Sequence, residues 1–127
     1  MSIARLFRDC RGTTAVEFAL LAPAFFMLMS AVIEGGLLLW TQIGLQHGAQ
    51  AASRCASVNQ TLCGTSANVQ TYAAQQALGL NVAPSTFTYS VTACGNQVSA
   101  NYNFVFFLGY FVNRPVLTLS AQSCFPT

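Results

Sequence analysis

From Ala15 to Ile33 the chain has about 19 residues of almost unbroken apolar character, interrupted by Pro23 and preceded by a basic leader. As an α-helix this run is roughly 28 Å long, enough to cross the hydrocarbon core of a bilayer. Glu17 stands at its mouth, and a lone carboxylate at the entrance of a membrane helix is costly enough to need a reason. Composition agrees with a membrane setting. Only 6% of residues are charged, against about 25% in an average soluble domain, and the mean hydropathy is +0.50.

The charges are also one-sided. Arg5, Arg8, Asp9, Arg11 and Glu17 fall at the N-terminal end, which leaves Glu34, Arg54 and Arg114 for the rest. By the positive-inside rule the N-terminus stays in the cytoplasm and the remainder crosses the membrane. The net charge of +2 belongs to this tip and forms no basic stripe, so nucleic acid is not an expected partner. A cleavable signal peptide would need a small-x-small site just past the apolar core. Residues 29–36 offer none, and Ala49-Gln50-Ala51 lies too far on. The segment is expected to be kept as a span over about residues 15–34.

Residues 37–57 contain no proline and are rich in Ala, Gln and Leu, so the helix is expected to run on, over residues 13–57. Gly36, Gly44, Gly48, Ala52 and Ala56 recur on nearly one face. Small residues at this spacing let another backbone come close, either a neighbouring helix or the protein's own sheet. Ser66 is the expected N-cap of a second helix over Ala67–Leu78, stopped by Gly79. After Pro84 the period becomes two. Phe87, Tyr89, Val91 and Ala93 form one apolar phase, Val98, Ala100, Tyr102, Phe104 and Phe106 a second, and Leu117, Leu119 and Ala121 a third. A turn is expected at Gly95-Asn96. Three alternating runs predict a three-stranded antiparallel meander with one face on a core and one in water. The aromatic run from Phe104 to Phe111 reads as core and sheet edge; exposed, it would mark a docking surface.

Cys10 stands alone before the span, while Cys55, Cys63, Cys94 and Cys124 make an even set beyond it. In an exported domain four cysteines read as two disulfides, with three possible pairings; buried free thiols are the alternative. The meander favours Cys55–Cys63 and Cys94–Cys124. Against the second, the outer strands of a meander lie roughly 9–10 Å apart, beyond disulfide reach unless their ends bend inward.

Arg11-Gly12, Glu17-Phe18-Ala19-Leu20, Pro23 and Ile33-Glu34-Gly35-Gly36 together resemble the TadE/TadG-like family, pseudopilins of the tight-adherence systems that assemble Flp (type IVb) pili. The resemblance is strongest over roughly residues 8–50 and weaker at the closing Leu117-Thr118-Leu119-Ser120-Ala121. It implies a pilin-like α+β fold: the long N-terminal helix, transmembrane in its first half, a short second helix, and the sheet. Residues 1–12 would be a cytoplasmic leader and 58–127 an exported head packed on the outer half of the helix. It also implies cleavage by a prepilin peptidase between Gly12 and Thr13, which makes Glu17 the fifth mature residue, able to meet a neighbour's N-terminal ammonium. Expected partners are the membrane, that peptidase, other pilins or pseudopilins and the pilus assembly platform. The expected location is the bacterial inner membrane with a periplasmic or extracellular head, incorporated in a pilus or standing beside one. Phe18 replaces the Tyr usual in a major Flp pilin, and a sizeable head is attached, so a minor pseudopilin fits better than a filament subunit. An unprocessed single-pass scaffold protein is the alternative.

No enzyme is expected. His47 is the only histidine and has no Cys, Ser or carboxylate at a catalytic spacing. Asp9, Glu17 and Glu34 are the only acids, so the region beyond the span lacks an acid pair, a calcium cage or a glycine-rich phosphate loop. No cofactor, metal or small-molecule substrate is implied.

Overall fold

The structure, a computed structural model, describes residues 13–107, 109 and 116–127. The leader, Gly12, Arg114-Pro115 and most of the aromatic loop before them lie outside the described residues. The described elements are α1 (Thr13–Val58), α2 (Gln60–Cys63), α3 (Ser66–Gln75), a 3₁₀ turn (Pro84–Thr86), β1 (Phe87–Thr92), β2 (Gly95–Val105) and β3 (Val116–Phe125). The fold is α+β, with one three-stranded antiparallel sheet in the order β1-β2-β3. Two compact units divide the chain, Met1–Glu34 and Gly35–Thr127.

In the first unit α1 is described from Thr13 and passes through Pro23 without a break. Proline removes the amide that would bond the carbonyl of Ala19, a loss a membrane helix tolerates. Phe25 and Phe26 meet edge to face at 5.9 Å. Residues 14–33 are exposed, with only Ala22 and Ser30 partly shielded. Glu34 is the exception at 9% exposure, and it has an interaction partner.

In the second unit the outer part of α1 supplies one wall of the core. Leu45, Ala49 and Ala52 are fully buried against Val69 and Ala73 of α3, Phe87 of β1, Val98 and Ala100 of β2, and Leu119 and Ala121 of β3. The inward phases of the three strands are those expected, but β1 leaves the core early: Val91 is exposed. Most of these core residues are small, so the layers come close and the margins need other support.

Local chemistry moves several boundaries. The N-cap of α3 is Thr65, not Ser66. Thr65 is the residue in extended conformation, and its hydroxyl accepts the Asn68 amide at 3.3 Å. The helix stops at Gln75, three residues short of Leu78, because Leu78 (φ 52°) and Gly79 (φ 77°) both turn left-handed and send Leu80 back toward α1. The loop after α1 contains α2, a single turn capped by Asn59, whose side chain accepts the Leu62 amide. The β1–β2 turn is Ala93-Cys94 rather than Gly95-Asn96, since Thr92 already pairs with Gly95.

Disulfides join Cys55 to Cys63 and Cys94 to Cys124. The second does not bridge two strand ends. Cys94 sits in the hairpin turn, one residue before β2, and Gln97 of β2 is the register partner of Cys124. At Gly95 (φ 118°) a side chain would collide with the carbonyl oxygen of Phe125. Glycine there lets the turn fold over β3, which brings the two Cα atoms to 6.3 Å, within disulfide range.

Candidate functional site

The face of small residues on α1 splits in two. A methyl added at Gly48 would come 2.6 Å from the Ala73 carbonyl oxygen and 3.1 Å from Phe87 Cζ, and one at Gly44 would meet Leu80 Cδ1 at 2.5 Å. Ala52 and Ala56 are buried in the same layer. This stretch is occupied by the protein's own α3 and β1. Gly35 and Gly36, by contrast, have nothing within 4 Å of where a Cβ would be. Of the proposed packing residues only Gly36 keeps an open face.

His47 caps a helix. Its Nδ1 lies 2.8 Å from the Gln76 carbonyl oxygen, one of the acceptors left over at the end of α3; Nδ1 therefore carries the proton and donates. A single histidine on a helix gives no sequence signal for this, since its partner comes from a different helix.

A second group of polar side chains on α1 holds the edge of the sheet. Gln42 Nε2 donates to the Ser120 carbonyl at 2.8 Å and Gln46 Nε2 to that of Gln122 at 3.2 Å. Four helical residues rise about 6 Å and two strand residues about 7 Å, so glutamines at i and i+4 match alternate carbonyls of an edge strand. Unpaired edges recruit other chains, and here the edge of β3 is capped from within. Further along, Tyr89 donates to Asn96 Oδ1 at 2.6 Å, Asn96 Nδ2 to Ser57 Oγ at 2.9 Å, and Ser57 to the Phe125 carbonyl at 3.4 Å. This chain of hydrogen bonds ties β1, β2, α1 and β3 together, with Asn96 itself buried. Among the described residues every buried side-chain polar atom has a partner. Replacing both Gln42 and Gln46 by alanine is expected to cost about 1–3 kcal/mol in all, from two side-chain hydrogen bonds. Amide hydrogen exchange in β3 should then rise before the rest of the sheet responds.

Beyond this zip the end of α1 borders an open groove of about 750 Å³, lined by His47, Gln50, Arg54, Leu62, Tyr72 and Phe125 among others. Arg54 is exposed and is the one charged side chain among the described residues from 35 onward. Among the described residues no three His, Cys, Asp or Glu side chains gather where they could hold a metal ion.

Glu17 lies four residues after the first described residue of α1, one turn along the same face, and is exposed. The helix that carries it is long and apolar enough to cross a membrane, and the window that qualifies is not buried at all. A buried core helix would look different. An α+β head continuous with one bare apolar helix is the class of protein that this architecture defines. Residues 12–54 match the family model described as TadE-like protein, so this segment is similar to that family. Neither the curated proteins nor the solved structures contain a significant match.

Proposed function

We propose that the chain is a minor pseudopilin that takes part in assembling a Tad/Flp-type pilus through packing of its membrane helix and contacts of its head. The observation that carries this reading is the contrast along α1 within the TadE-like segment: residues 14–33 are bare and apolar, whereas residues 44–56 are spent on the head's own core. The bare half has no use inside the chain and suits lipid and neighbouring helices; Gly36 adds an open notch to it. Arg54 and its groove offer the head a cationic contact for an acidic partner, because beyond Glu34 the sequence has no carboxylate side chain.

Cleavage between Gly12 and Thr13 would place an ammonium one helical turn from Glu17. A carboxylate in lipid costs several kcal/mol when unpaired, so a neighbour's ammonium gives it a strong preference of register. Co-expression with a prepilin peptidase, followed by N-terminal sequencing, is expected to return Thr13. Glu17→Ala is expected to abolish co-purification with pilins while membrane insertion stays intact. An N-terminus still at Met1, together with unchanged co-purification, would leave the unprocessed scaffold protein as the reading.

A further inference from the structure

The side of α1 that the head's core leaves unused is the floor of the open groove. His47, Gln50, Arg54 and Val58 follow one another at spacings of three, four and four, so they share one side of the helix. All four are exposed, and the groove lies wholly within the second unit. Both of its walls are fastened to that floor. Leu62 stands on one, in α2, whose neighbouring Cys63 is joined to Cys55 of α1. Phe125 stands on the other, at the end of β3. The Ser53–Ser123 hydroxyl pair at 3.1 Å and the bond from Ser57 to the Phe125 carbonyl hold that end against α1. A groove braced in this way is formed before anything enters it, so little ordering of its walls opposes binding. Its volume of about 750 Å³ falls in the range of ligand clefts, about 300–1,000 Å³.

Arg54 has no hydrogen-bond or ion-pair partner among the described residues. Beside it Val58 is 71% exposed and Leu62 52%, so an unused cation and apolar surface face the same space. The charges of the chain decide what complements them. Beyond Glu34 the only charged residues are Arg54 and Arg114. A second copy's head would bring cation to cation and has no carboxylate side chain to offer. The complement therefore comes from a different chain. One guanidinium presents a fork that one carboxylate fits with two parallel hydrogen bonds. A nucleic-acid backbone or an anionic lipid surface is held by several cations together, and the described part of the head has one.

We infer that the groove seats a segment of a different protein in which a carboxylate side chain stands next to a large apolar one. The carboxylate pairs with Arg54, and the apolar group lies against Val58, Leu62 and Phe125. This rests on the reading of the chain as a minor pseudopilin whose head contacts other subunits, and it makes that contact heterotypic.

The test uses the full chain in mild detergent with both disulfides intact. It is titrated with acetyl-Glu-Phe-amide, acetyl-Gln-Phe-amide and acetyl-Glu-Ala-amide while the backbone amide NMR signals of residues 50–62 are followed. The Glu-Phe peptide is expected to bind several-fold more tightly than either of the others. Arg54→Gln should remove its advantage over Gln-Phe, and Arg54→Glu should transfer the preference to acetyl-Lys-Phe-amide. Arg54 is exposed, so these variants keep the fold; Arg54→Lys, which keeps the charge and loses the fork, should fall between wild type and Arg54→Gln. Equal affinity for the Glu-Phe and Gln-Phe peptides would overturn the inference. So would inorganic phosphate binding as tightly as the Glu-Phe peptide, the mark of a general anion site. Co-purification with pilins is read in parallel for wild type, Glu17→Ala and Arg54→Gln. No peptide preference, with co-purification still lost in Glu17→Ala, would overturn the groove and leave the pseudopilin reading standing. A wild-type chain that never co-purifies would overturn that reading, and the heterotypic contact with it, whatever the peptides do.

Discussion

Replacing Cys94 and Cys124 together by serine is expected to lower the stability of the head by about 3.6 kcal/mol, the value the chain-entropy relation gives for a loop of 30 residues. The same relation gives about 2.5 kcal/mol for the 8-residue separation of Cys55–Cys63. For the first pair the effect should be felt across the sheet. Cys124 precedes Phe125, whose carbonyl ends the hydrogen-bond chain from Tyr89, and β3 is an edge strand. Denaturant unfolding of the full chain in mild detergent, with and without a reductant, measures both. A larger loss for Cys55–Cys63 than for Cys94–Cys124 would contradict the loop-length account.

Gly48→Ala is expected to destabilise the head by about 1–3 kcal/mol through overpacking, although alanine is the better helix former by about 1 kcal/mol. The added methyl meets the backbone oxygen of Ala73 at 2.6 Å and the Phe87 ring at 3.1 Å. A backbone oxygen cannot swing aside as a side-chain end can, so α3 would have to move as a body. Gly36→Ala has the opposite sign. Its Cβ meets nothing, and the helix gains up to about 1 kcal/mol. If membrane partners use that notch, Gly36→Ala should stabilise the isolated chain while weakening co-purification with pilins. Shifts of opposite sign in unfolding midpoint for the two variants would support this division of the helix; the same sign for both would contradict it.

The parts of the fold that were readable in the sequence are those with local signals. The apolar run and the proline-free stretch rich in Ala, Gln and Leu after it pointed to α1 through to its end near Val58, and period-two alternation pointed to all three strands with the correct inward phase. What could not be read depends on contacts between distant segments. Gly95-Asn96 looks like a turn from composition, but Gly95 is a strand residue kept free of a side chain by the nearness of Phe125. The end of α3 is set by the reversal at Leu78-Gly79 and by His47 on another helix. The face of small residues reads as one surface, and only the positions of Leu80, Ala73 and Phe87 divide it. The candidate site was legible in a different way. Gly12, Thr13 and Glu17 are visible as a pattern at the mouth of the span, but the groups proposed to act on them belong to other molecules.

The clamp between α1 and β3 has a consequence for the order of folding. Gln42 is 78 residues from Ser120 and Gln46 is 76 from Gln122. The helix is therefore completed by a strand that follows it in the chain by more than 70 residues. Contacts of such long separation slow folding, because the loop between them must close first. The head cannot close until the ten residues of β3 are available, and the second disulfide waits with them. During that interval the inner face of α1 stands uncovered. Built from Gly44, Gly48, Ala49, Ala52 and Ala56, with Leu45 as its one large fully buried residue, it exposes little apolar area while it waits. A face that suits tight packing in the finished head is also one of low adhesiveness in the unfinished chain.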